Sequence, residues 1–555
     1  MYLHLITTFN CEIFARCLMN KSTDEALNVS YDGYGQVIAS LTNKDWPKGS
    51  QTTLFLWVQP HSLFYEYAKA LGGEVFDKVK LWQDLDAFCA LVKDNADDIQ
   101  YVFVASLMKP IGRRGLGMLN YDPAVGPTFL IDEMNLHMAK TFAASANIFM
   151  LDSDRWIRDC HVEAYSPKMW IASKTPFTNP VFWDAAEDAI ASLEALQGKS
   201  RRLIIVDADD TLWGGIVGET GWQALALGGH DYIGESFSAF QEALKSLTKR
   251  GIQLGIVSKN EENVVLNAID NHPEMVLSIS DFAAWRINWT DKATNIASLV
   301  EELNLGFSSV VFIDNDPAER ARVKQAIPEV LVPEWPRDPA KYESCLLSLR
   351  CFDSPNLTDE DRARGAMYTH NKQRTQSLKH FISLEKWLES SDIKVFADDL
   401  NQTNLVRAVQ LLNKTNQMNL STRRLSEIEF NNWAAMDEHE VWTFRVSDKF
   451  GDYGLTGIVS LRVDDEETVL EDFLLSCRVM GRKVEETLLH FAAMRAAKAR
   501  SKMLVANFFQ TERNTPVLEF FSRSGFARSG RQFTWIPSNH YHLPDFITLV
   551  DNQGG

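Results

Sequence analysis

Short apolar runs alternate with segments of helical periodicity over residues 1–198. Three of these runs predict buried strands: Leu54–Val58, Tyr101–Val104 and Asn147–Leu151. The apolar pattern of Ala186–Leu196 is that of a helix, and Gly198 is a typical residue to follow its end. Because alternating strands and helices are typical of α/β layer structures, we interpret this region as an N-terminal α/β domain.

The same alternation continues along the chain, where three fully apolar runs predict buried parallel strands: Leu203–Val206, Ile252–Val257 and Ser309–Ile313. Helical patterns at Ser236–Lys249 and Ala293–Leu303 lie between them. This order predicts a doubly wound parallel sheet over residues 199–345. The functional loops of such a sheet lie at the carboxyl ends of its strands.

Beyond Pro336 the pattern becomes helical and charged, and we interpret residues 346–390 as a helical connector. Residues 391–545 then mix the two periodicities, which predicts an α+β domain. Its predicted strands are Val441–Val446, Gly457–Val463, Thr468–Leu475 and Met503–Asn507. Its predicted helices are Asn404–Lys414, Lys483–Ala499 and Thr515–Ser524.

The composition narrows the class of protein. A chain of 555 residues is too long for one hydrophobic core, so we expect about two to four domains. The 56 Lys and Arg against 74 Asp and Glu give a net charge of −18, which argues against a general nucleic-acid-binding protein.

We expect neither a membrane span nor a signal peptide, because no long uncharged apolar stretch is present. Seven cysteines without a C-x-x-C pair favour free thiols in a reducing compartment, so we expect a cytoplasmic protein without a disulfide framework or a zinc site.

Charged and polar side chains follow the predicted strands of the middle region. Asp207, Asp209 and Asp210 come directly after an apolar run, and a hard cation such as Mg²⁺ would relieve their mutual repulsion. Later loops add a hydroxyl, an ammonium and another acid: Ser258, Lys292 and Asp314. These are the groups that phosphoryl transfer requires. Asp-rich strand ends are also ordinary loop and cap residues, but four such loops in this order favour a phosphoryl-transfer site.

This middle region resembles the haloacid-dehalogenase (HAD) superfamily of aspartate-nucleophile phosphatases. The resemblance implies that Asp207 is the nucleophile and Asp209 the general acid/base. It also implies phosphate-binding and metal-ligating residues, which are Thr211, Ser258 and Lys292 for phosphate and Asp207, Asp209 and Asp314 for Mg²⁺.

Within that superfamily the chain is similar to the FkbH-like family, which makes glyceryl-acyl carrier protein from 1,3-bisphosphoglycerate in polyketide pathways. The similarity lies in Thr211-Leu212-Trp213-Gly214-Gly215, Ser258-Lys259-Asn260, Ile287-Asn288-Trp289, Asp291-Lys292 and Phe312-Ile313-Asp314. The family usually has Asn at Asp210, and Asp-Asp-Asn where this chain has Asp314-Asn315-Asp316. Because the second acid is displaced by one residue, a site that binds metal but works slowly is an open alternative.

A second set of residues lies between a predicted strand and a predicted helix near the C-terminus. The loop from Arg478 to Lys483 offers backbone N–H groups and positive charge, which suit the phosphates of a pantetheine arm. It resembles the pyrophosphate loop of GNAT acyltransferases, although Lys483 stands where that pattern has a small residue. The resemblance implies acyl or pantetheine binding by Arg478, Gly481, Arg482 and Asn514. The alternative is a short turn with exposed basic residues.

Cys477 is the candidate nucleophile of this second region. A thiol flanked by two arginines at a helix N-terminus is expected to have a lowered pKa. The FkbH-like family has a matching Ser-Cys-Arg segment, which implies that Cys477 carries the acyl group; a buried apolar cysteine at a strand end is the alternative. The polar segment Asn413–Leu420 is also similar to a segment of that family, and we assign it a binding role.

Taken with its resemblance, the chain is expected to be an α/β protein with an SGNH-like N-terminal domain, a HAD-like domain and a GNAT-like domain. The SGNH likeness is loose, through Phe9-Asn10 and Tyr34-Gly35-Gln36-Val37, and lacks a Gly-Asp-Ser motif. The implied function is to take the glyceryl group from 1,3-bisphosphoglycerate, remove its phosphate with Mg²⁺ and load it on an acyl carrier protein. The alternatives are a phosphatase/acyltransferase of surface-polysaccharide biosynthesis and a non-catalytic scaffold. We expect 1,3-bisphosphoglycerate and the phosphopantetheine arm of the carrier as partners, with no nucleic acid and no membrane.

Overall fold

A computed structural model of the chain describes residues 1–21, 27–47, 49–111, 114–158, 160, 164–229, 231–355, 384–415, 417–464, 466–511 and 514–552. The chain divides into two compact units. The first comprises Met1–Leu193 with Ser426–Ile428, and the second comprises Glu194–Leu425 with Glu429–Gly555.

The first unit contains a parallel sheet. Its strands are β1 (Tyr2–Thr7), β2 (Asn28–Tyr31), β3 (Gly49–Trp57), β4 (Ile99–Ala105) and β5 (Ile148–Leu151). They pair in the order β2-β1-β3-β4-β5, and every pair is parallel. The helices of this region are α1 (Glu12–Lys21), α2 (Val37–Asn43), α3 (Pro60–Leu63), α4 (Tyr65–Gly72), α5 (Lys78–Ala96), α6 (Pro127–Phe142), α7 (Ser153–Arg158), α8 (Pro167–Ser173) and α9 (Asn179–Leu196). The predicted α/β layer structure is confirmed here, but β5, at the edge of the sheet, is half-buried over most of its length rather than buried.

The second unit begins with a smaller sheet, whose strands are β6 (Leu203–Val206), β7 (Gln253–Ser258), β8 (Phe282–Ile287) and β9 (Val310–Ile313). They pair in the order β8-β7-β6-β9, all parallel, which confirms the predicted parallel sheet. Its helices are α10 (Val217–Thr220), α11 (Tyr232–Thr248), α12 (Glu262–Asn271), α13 (Lys292–Glu302), α14 (Pro317–Ala326) and α15 (Tyr342–Leu347). Alternate residues of β6 belong to two different hydrophobic clusters, so both faces of the sheet are covered.

The rest of the second unit is built on a mixed sheet. Its strands are β10 (Ile393–Asp399), β11 (Met418–Asn419), β12 (His439–Asp448), β13 (Gly451–Val463), β14 (Glu467–Leu475), β15 (Met503–Asn507), β16 (Ala527–Ser529), β17 (Gln532–Trp535) and β18 (Ile547–Asp551). The pairing order is β16-β17-β15-β14-β13-β12-β10-β18, with β11 on β14. The helices are α16 (Leu384–Glu389), α17 (Leu405–Lys414), α18 (Glu427–Ala434), α19 (Val484–Lys498) and α20 (Thr515–Arg523). This mixture agrees with the predicted α+β character.

Two parallel strands of this mixed sheet stay together for only part of their length. β14 and β15 pair from Glu467↔Met503 to Leu470↔Ala506. Beyond that point β11 pairs with β14 instead, with Met418 opposite Leu475. Strand β11 therefore pairs with the part of the β14 edge that β15 does not reach.

Short 3-10 helices lie at Gly117–Tyr121, Trp222–Ala224, Ile279–Asp281, Phe307–Ser309, Pro339–Lys341, Arg350–Phe352 and Cys477–Val479. Of the predicted connector 346–390, residues 356–383 lie outside the described residues. No helix in the described part of the chain combines the length and the apolar character needed to cross a membrane.

Candidate active site

Three charged side chains meet at the carboxyl edge of the four-stranded sheet. β6 and β9 are neighbours in register, so the residues that follow them, Asp207 and Asp314, lie side by side. Lys292, the first residue of α13, lies between them: its Nζ is 3.1 Å from Asp207 Oδ1 and 2.7 Å from Asp314 Oδ2. Ser258, at the end of β7, is a hydrogen-bond partner of the Asp207 carboxylate. The structure thus brings four of the predicted site residues together.

This group is buried and carries more negative than positive charge. Asp314 is 0% exposed, Lys292 4% and Asp207 7%. Burial, followed by the charge of Asp207, raises the pKa of Asp314 to about 6, although Lys292 opposes the shift. Burial also raises the pKa of Asp207 against the opposing charge of Lys292. For Lys292, burial alone would lower the pKa, but the two carboxylates outweigh it and raise it.

The two carboxylates fit a hard cation such as Mg²⁺. When both acids are ionised, one ammonium balances one carboxylate, so a charge of −1 remains in the buried group. Oδ1 of Asp207 is buried with Lys292 Nζ 3.1 Å away, and a carboxylate oxygen has room for a second partner. Carboxylate oxygens with unused acceptor capacity are the ligands that Mg²⁺ prefers. Asp207 and Asp314 are therefore the residues that would hold the metal.

The side chain of Asp209, the third predicted metal ligand, is bound by neighbouring loops. Its Oδ1 accepts hydrogen bonds from Trp213 Nε1 and Val217 N, both at 3.0 Å. Its Oδ2 accepts one from Asn260 Nδ2 at 2.7 Å. Within the described ranges, no group of three or more His, Cys, Asp or Glu side chains is arranged to hold a metal ion. Neighbouring loops bind the Asp209 carboxylate, and its role as a metal ligand stays a prediction.

The position of Asp210 requires a left-handed backbone. Its φ is 51°, a conformation that Asn and Asp tolerate better than other residues with a Cβ atom. Its Oδ1 accepts a hydrogen bond from Gly215 N at 2.7 Å. An asparagine oxygen would accept the same bond, so Asp in place of Asn preserves this turn.

The loop that follows β9 explains the displaced acid. Asp316 is the N-cap of α14, where its Oδ1 accepts a hydrogen bond from Ala318 N at 2.8 Å. Asn315 faces Thr211 instead: the Thr211 hydroxyl donates to Asn315 Oδ1 at 3.4 Å and accepts from Asn315 N at 3.3 Å. Asp316 therefore caps a helix rather than replacing the missing acid. Thr211, predicted to bind phosphate, is fully buried and joins the two loops.

Sequence reasoning assigned no role to two residues that hold Asp209. Trp213 is fully buried and Asn260 is 5% exposed. Both stand inside the motif stretches that carry the family resemblance, but neither has a side chain that ionises, so the search for acids, bases and metal ligands passed over them. Their position in those stretches was the available signal.

The predicted pantetheine-binding arginines are engaged within the protein. Arg478 donates to the carbonyl oxygens of Tyr453 at 2.8 Å and Leu455 at 3.3 Å. Arg482 donates to the Tyr453 hydroxyl and lies 3.7 Å from Asp448 Oδ2. These contacts join the loop after β14 to strand β13 and to the last residue of β12.

Other predicted residues of that region lie on the same loop or bind the β11 segment. Gly481 has a φ of 73°, and its N–H donates to Glu485 Oε1 at 2.5 Å. Asn514 is fully buried; its Nδ2 donates to the carbonyl oxygens of Asn419 at 3.1 Å and Phe509 at 2.8 Å. It therefore holds β11 in place. The backbone of Cys477 begins a 3-10 helix, and its side chain lies outside the described part of the structure.

No family model and no curated protein matches the chain. Among solved structures, the chain is similar to the N-terminal part of the protein BF1531 from Bacteroides fragilis, which contains a phosphatase domain and is complexed with Mg. The two are 25% identical with a TM-score of 0.58, and the match covers 64% of this chain and 95% of that chain. This likeness shows a shared fold over the matched part.

Spermidine N-acetyltransferases from Vibrio cholerae match a smaller part of the chain. A mutant of SpeG is 14% identical with a TM-score of 0.22, covering 27% of this chain and 96% of its own. The enzyme in complex with CoA and spermine is 12% identical with a TM-score of 0.22, covering 27% of this chain and 98% of its own. At these TM-scores we draw no conclusion from them.

Proposed function

We propose that this protein is a Mg²⁺-dependent phosphatase that uses Asp207 as its nucleophile. The observation that carries the proposal is the buried group of Asp207, Lys292 and Asp314 at the carboxyl ends of parallel strands, with one negative charge left unbalanced. The phosphatase domain of BF1531, which shares the fold and is complexed with Mg, supports the same function. The motif stretches that resemble HAD phosphatases support it independently.

In the proposed reaction a carboxylate oxygen of Asp207 attacks the phosphorus of a phosphate monoester. The new P–O bond forms as the bond to the leaving alcohol breaks, and Asp209 donates a proton to the departing oxygen. Asp209 then takes a proton from water, which attacks the phosphorus and releases phosphate from Asp207. Lys292 and Ser258 are placed to stabilise the transferring phosphoryl group.

Mg²⁺ bound at Asp207 and Asp314 would supply positive charge to the phosphoryl oxygens. The chain's own contribution to this is to keep two acids close together in a buried place. Lys292 compensates only one of them, so a cation is favoured beside the other.

A finer proposal names the substrate and the acceptor. The resemblance to the FkbH-like family supports glyceryl transfer from 1,3-bisphosphoglycerate to the thiol of an acyl carrier protein, with Cys477 as the residue that first carries the acyl group. The thiol would attack the acyl phosphate and displace phosphate. Asp207 would then act on the remaining phosphate ester.

The test of the phosphatase proposal uses the full chain. Purified protein is incubated with Mg²⁺ and 3-phosphoglycerate or 2,4-dinitrophenyl phosphate, and phosphate release is measured. We expect release that stops in Asp207→Asn and on chelation, and continues in the matched control Lys259→Ala, whose exposed side chain pairs with Glu319. Release that persists in Asp207→Asn would overturn the proposal.

The finer proposal is tested by weighing the protein intact after incubation with 1,3-bisphosphoglycerate and a phosphopantetheinylated carrier. We expect a glyceryl adduct on the enzyme that is absent in Cys477→Ala and passes to the carrier. If neither protein gains mass while phosphate is released, the phosphatase stands and the glyceryl transfer is rejected.

A further inference from the structure

The Asp209 carboxylate is held by more donors than a half-buried acid needs. Three N–H groups bind its two oxygens: the indole of Trp213 and the backbone N–H of Val217 bind Oδ1, and the amide of Asn260 binds Oδ2. Two of these donors come from the chain after β6 and one from the loop after β7. A loop acid that only caps a turn commonly uses one or two neighbouring N–H groups.

The two side-chain donors are themselves fixed. Trp213 is fully buried in the hydrophobic cluster of the four-stranded sheet. The oxygen of the Asn260 amide accepts a hydrogen bond from Glu261 N at 3.2 Å, so its nitrogen is turned toward Asp209. A carboxylate whose partners cannot rotate is itself held in one orientation.

The two oxygens of Asp209 differ in their remaining capacity. Each carboxylate oxygen offers about two acceptor positions. Oδ1 uses both of them on Trp213 and Val217, whereas Oδ2 accepts a single bond from Asn260. Oδ2 is therefore the oxygen with a position left for a proton.

We propose that Trp213 and Asn260 are positioning residues for the proton transfers of Asp209, with Oδ1 as the anchored oxygen and Oδ2 as the oxygen that gives and takes the proton. This inference rests on the proposed phosphatase function. In the first step Oδ2 loses its proton to the leaving oxygen as the P–O bond breaks. In the second step Oδ2 gains a proton from the attacking water.

The dependence on leaving group distinguishes positioning from general damage. An alcohol needs a proton as it leaves, whereas 2,4-dinitrophenolate leaves as an anion. A misplaced Asp209 therefore slows the first step for 3-phosphoglycerate but not for 2,4-dinitrophenyl phosphate. Single-turnover measurement isolates that step from the later attack of water, which both substrates share.

The variants are Trp213→Phe, which keeps an aromatic ring and removes the N–H, and Asn260→Leu, which keeps the volume and removes the donor. Lys259→Ala is the matched control beside Asn260. In each test variant we expect the first-turnover release of glycerate to fall about 10- to 100-fold, within the range of general acid catalysis, and that of dinitrophenolate to change less than about threefold. Circular dichroism and a thermal melt show whether each variant is folded.

Each of the other outcomes would contradict either the inference or the proposed function. An equal fall for both substrates in a folded variant would mean that the change disturbs the whole site, and no fall for either would mean that Asp209 needs no such anchors; either result overturns the inference. A wild-type protein that releases phosphate from neither substrate with Mg²⁺ would instead overturn the proposed function, and the inference with it.

Discussion

The Lys292 ammonium lies 2.7 Å from Asp314 Oδ2, and both side chains are almost completely buried. The same ammonium is 3.1 Å from Asp207 Oδ1, so a single cation stands between two acids. The stability of the protein at this edge of the sheet therefore depends on the charge of Lys292.

Replacing Lys292 with Met should destabilise the protein strongly, because it leaves two buried carboxylates without the cation that pairs with them. Removing one member of a buried ion pair typically costs about 3–5 kcal/mol. We expect a loss of this order in the free energy of unfolding, measured by urea denaturation in the absence of divalent ions. Lys292→Met combined with Asp314→Asn should recover a large part of it, since the second change removes one of the stranded charges. A double variant no more stable than the single one would contradict this account.

The two acids of the loop after β9 should contribute differently to Mg²⁺ binding. Asp314 faces Asp207, whereas Asp316 caps α14. Adding Mg²⁺ at about 100 times its dissociation constant should stabilise the wild type by about 2.7 kcal/mol, seen as a rise in melting temperature. Asp316→Asn should show the same rise because Asn also caps helices well. Asp314→Asn should lose it, and an unchanged rise in that variant would place the metal elsewhere.

Much of the four-stranded sheet was predictable because its strands are uninterrupted apolar runs. The predicted bounds of β6 coincide with those observed, since buried parallel strands need no polar face. Strand β8 was not predicted; half of its residues are only half-buried, as expected of a strand at a sheet edge. The strand β10 was not predicted because polar residues interrupt its apolar ones.

Within the site, the sequence indicated which loops converge but not how their side chains turn. Strand adjacency brings Asp207 and Asp314 together, and both were identified from their place after apolar runs. The orientation of Asp209 depends on two uncharged residues, Trp213, which is four positions further along the chain, and Asn260, which is distant in sequence. Such hydrogen bonds depend on loop geometry that residue types alone do not determine.

The pairing of β11 with β14 was also beyond sequence reasoning. The segment Asn413–Leu420 was noticed for its polarity and its resemblance to a family segment, and Asn416 lies outside the described residues. The structure shows that Asn419 carries two of the bonds that seat it: its carbonyl accepts from Asn514, and its side chain donates to Thr415 O at 3.0 Å. A two-residue strand gives no periodicity to detect.

Glu485 gives the protein a pH dependence that is independent of the phosphatase site. It is 3% exposed, and burial raises the pKa of its carboxyl above the ordinary 4.5. Because the folded state holds its proton more tightly than the unfolded state, folding gains stability at low pH and loses it as the pH rises through the raised pKa. Glu485→Gln removes this titration while keeping an oxygen for Gly481 N. We expect the melting temperature of the variant to equal that of the wild type near pH 4 and to exceed it at pH 8.

The matched control for this experiment is Glu486→Gln, one residue further along α19. Its side chain pairs with Lys483 near the surface, at 2.8 Å. The difference in melting temperature between Glu486→Gln and wild type should not grow with pH above 6. If both variants gained stability alike at pH 8, the cause would be the negative charge of the region rather than the burial of Glu485.

Two buried cysteines of the N-terminal unit should react slowly with alkylating reagents. Burial raises the pKa of Cys11 to about 11, and burial together with the charge of Asp86 raises that of Cys89 to about 12. Both thiols therefore stay protonated at neutral pH, and the thiolate is the reactive form. With iodoacetamide at pH 7.5, Cys11 and Cys89 of the folded protein should stay unmodified, as peptide mapping by mass spectrometry would show. Unfolding in urea should expose both thiols.

If Cys477 is the proposed acyl carrier, it should be the first thiol alkylated, and Cys477→Ala should abolish the fastest phase of the reaction. Modification of Cys11 or Cys89 at the same rate would mean that the burial seen in the N-terminal unit opens readily in solution.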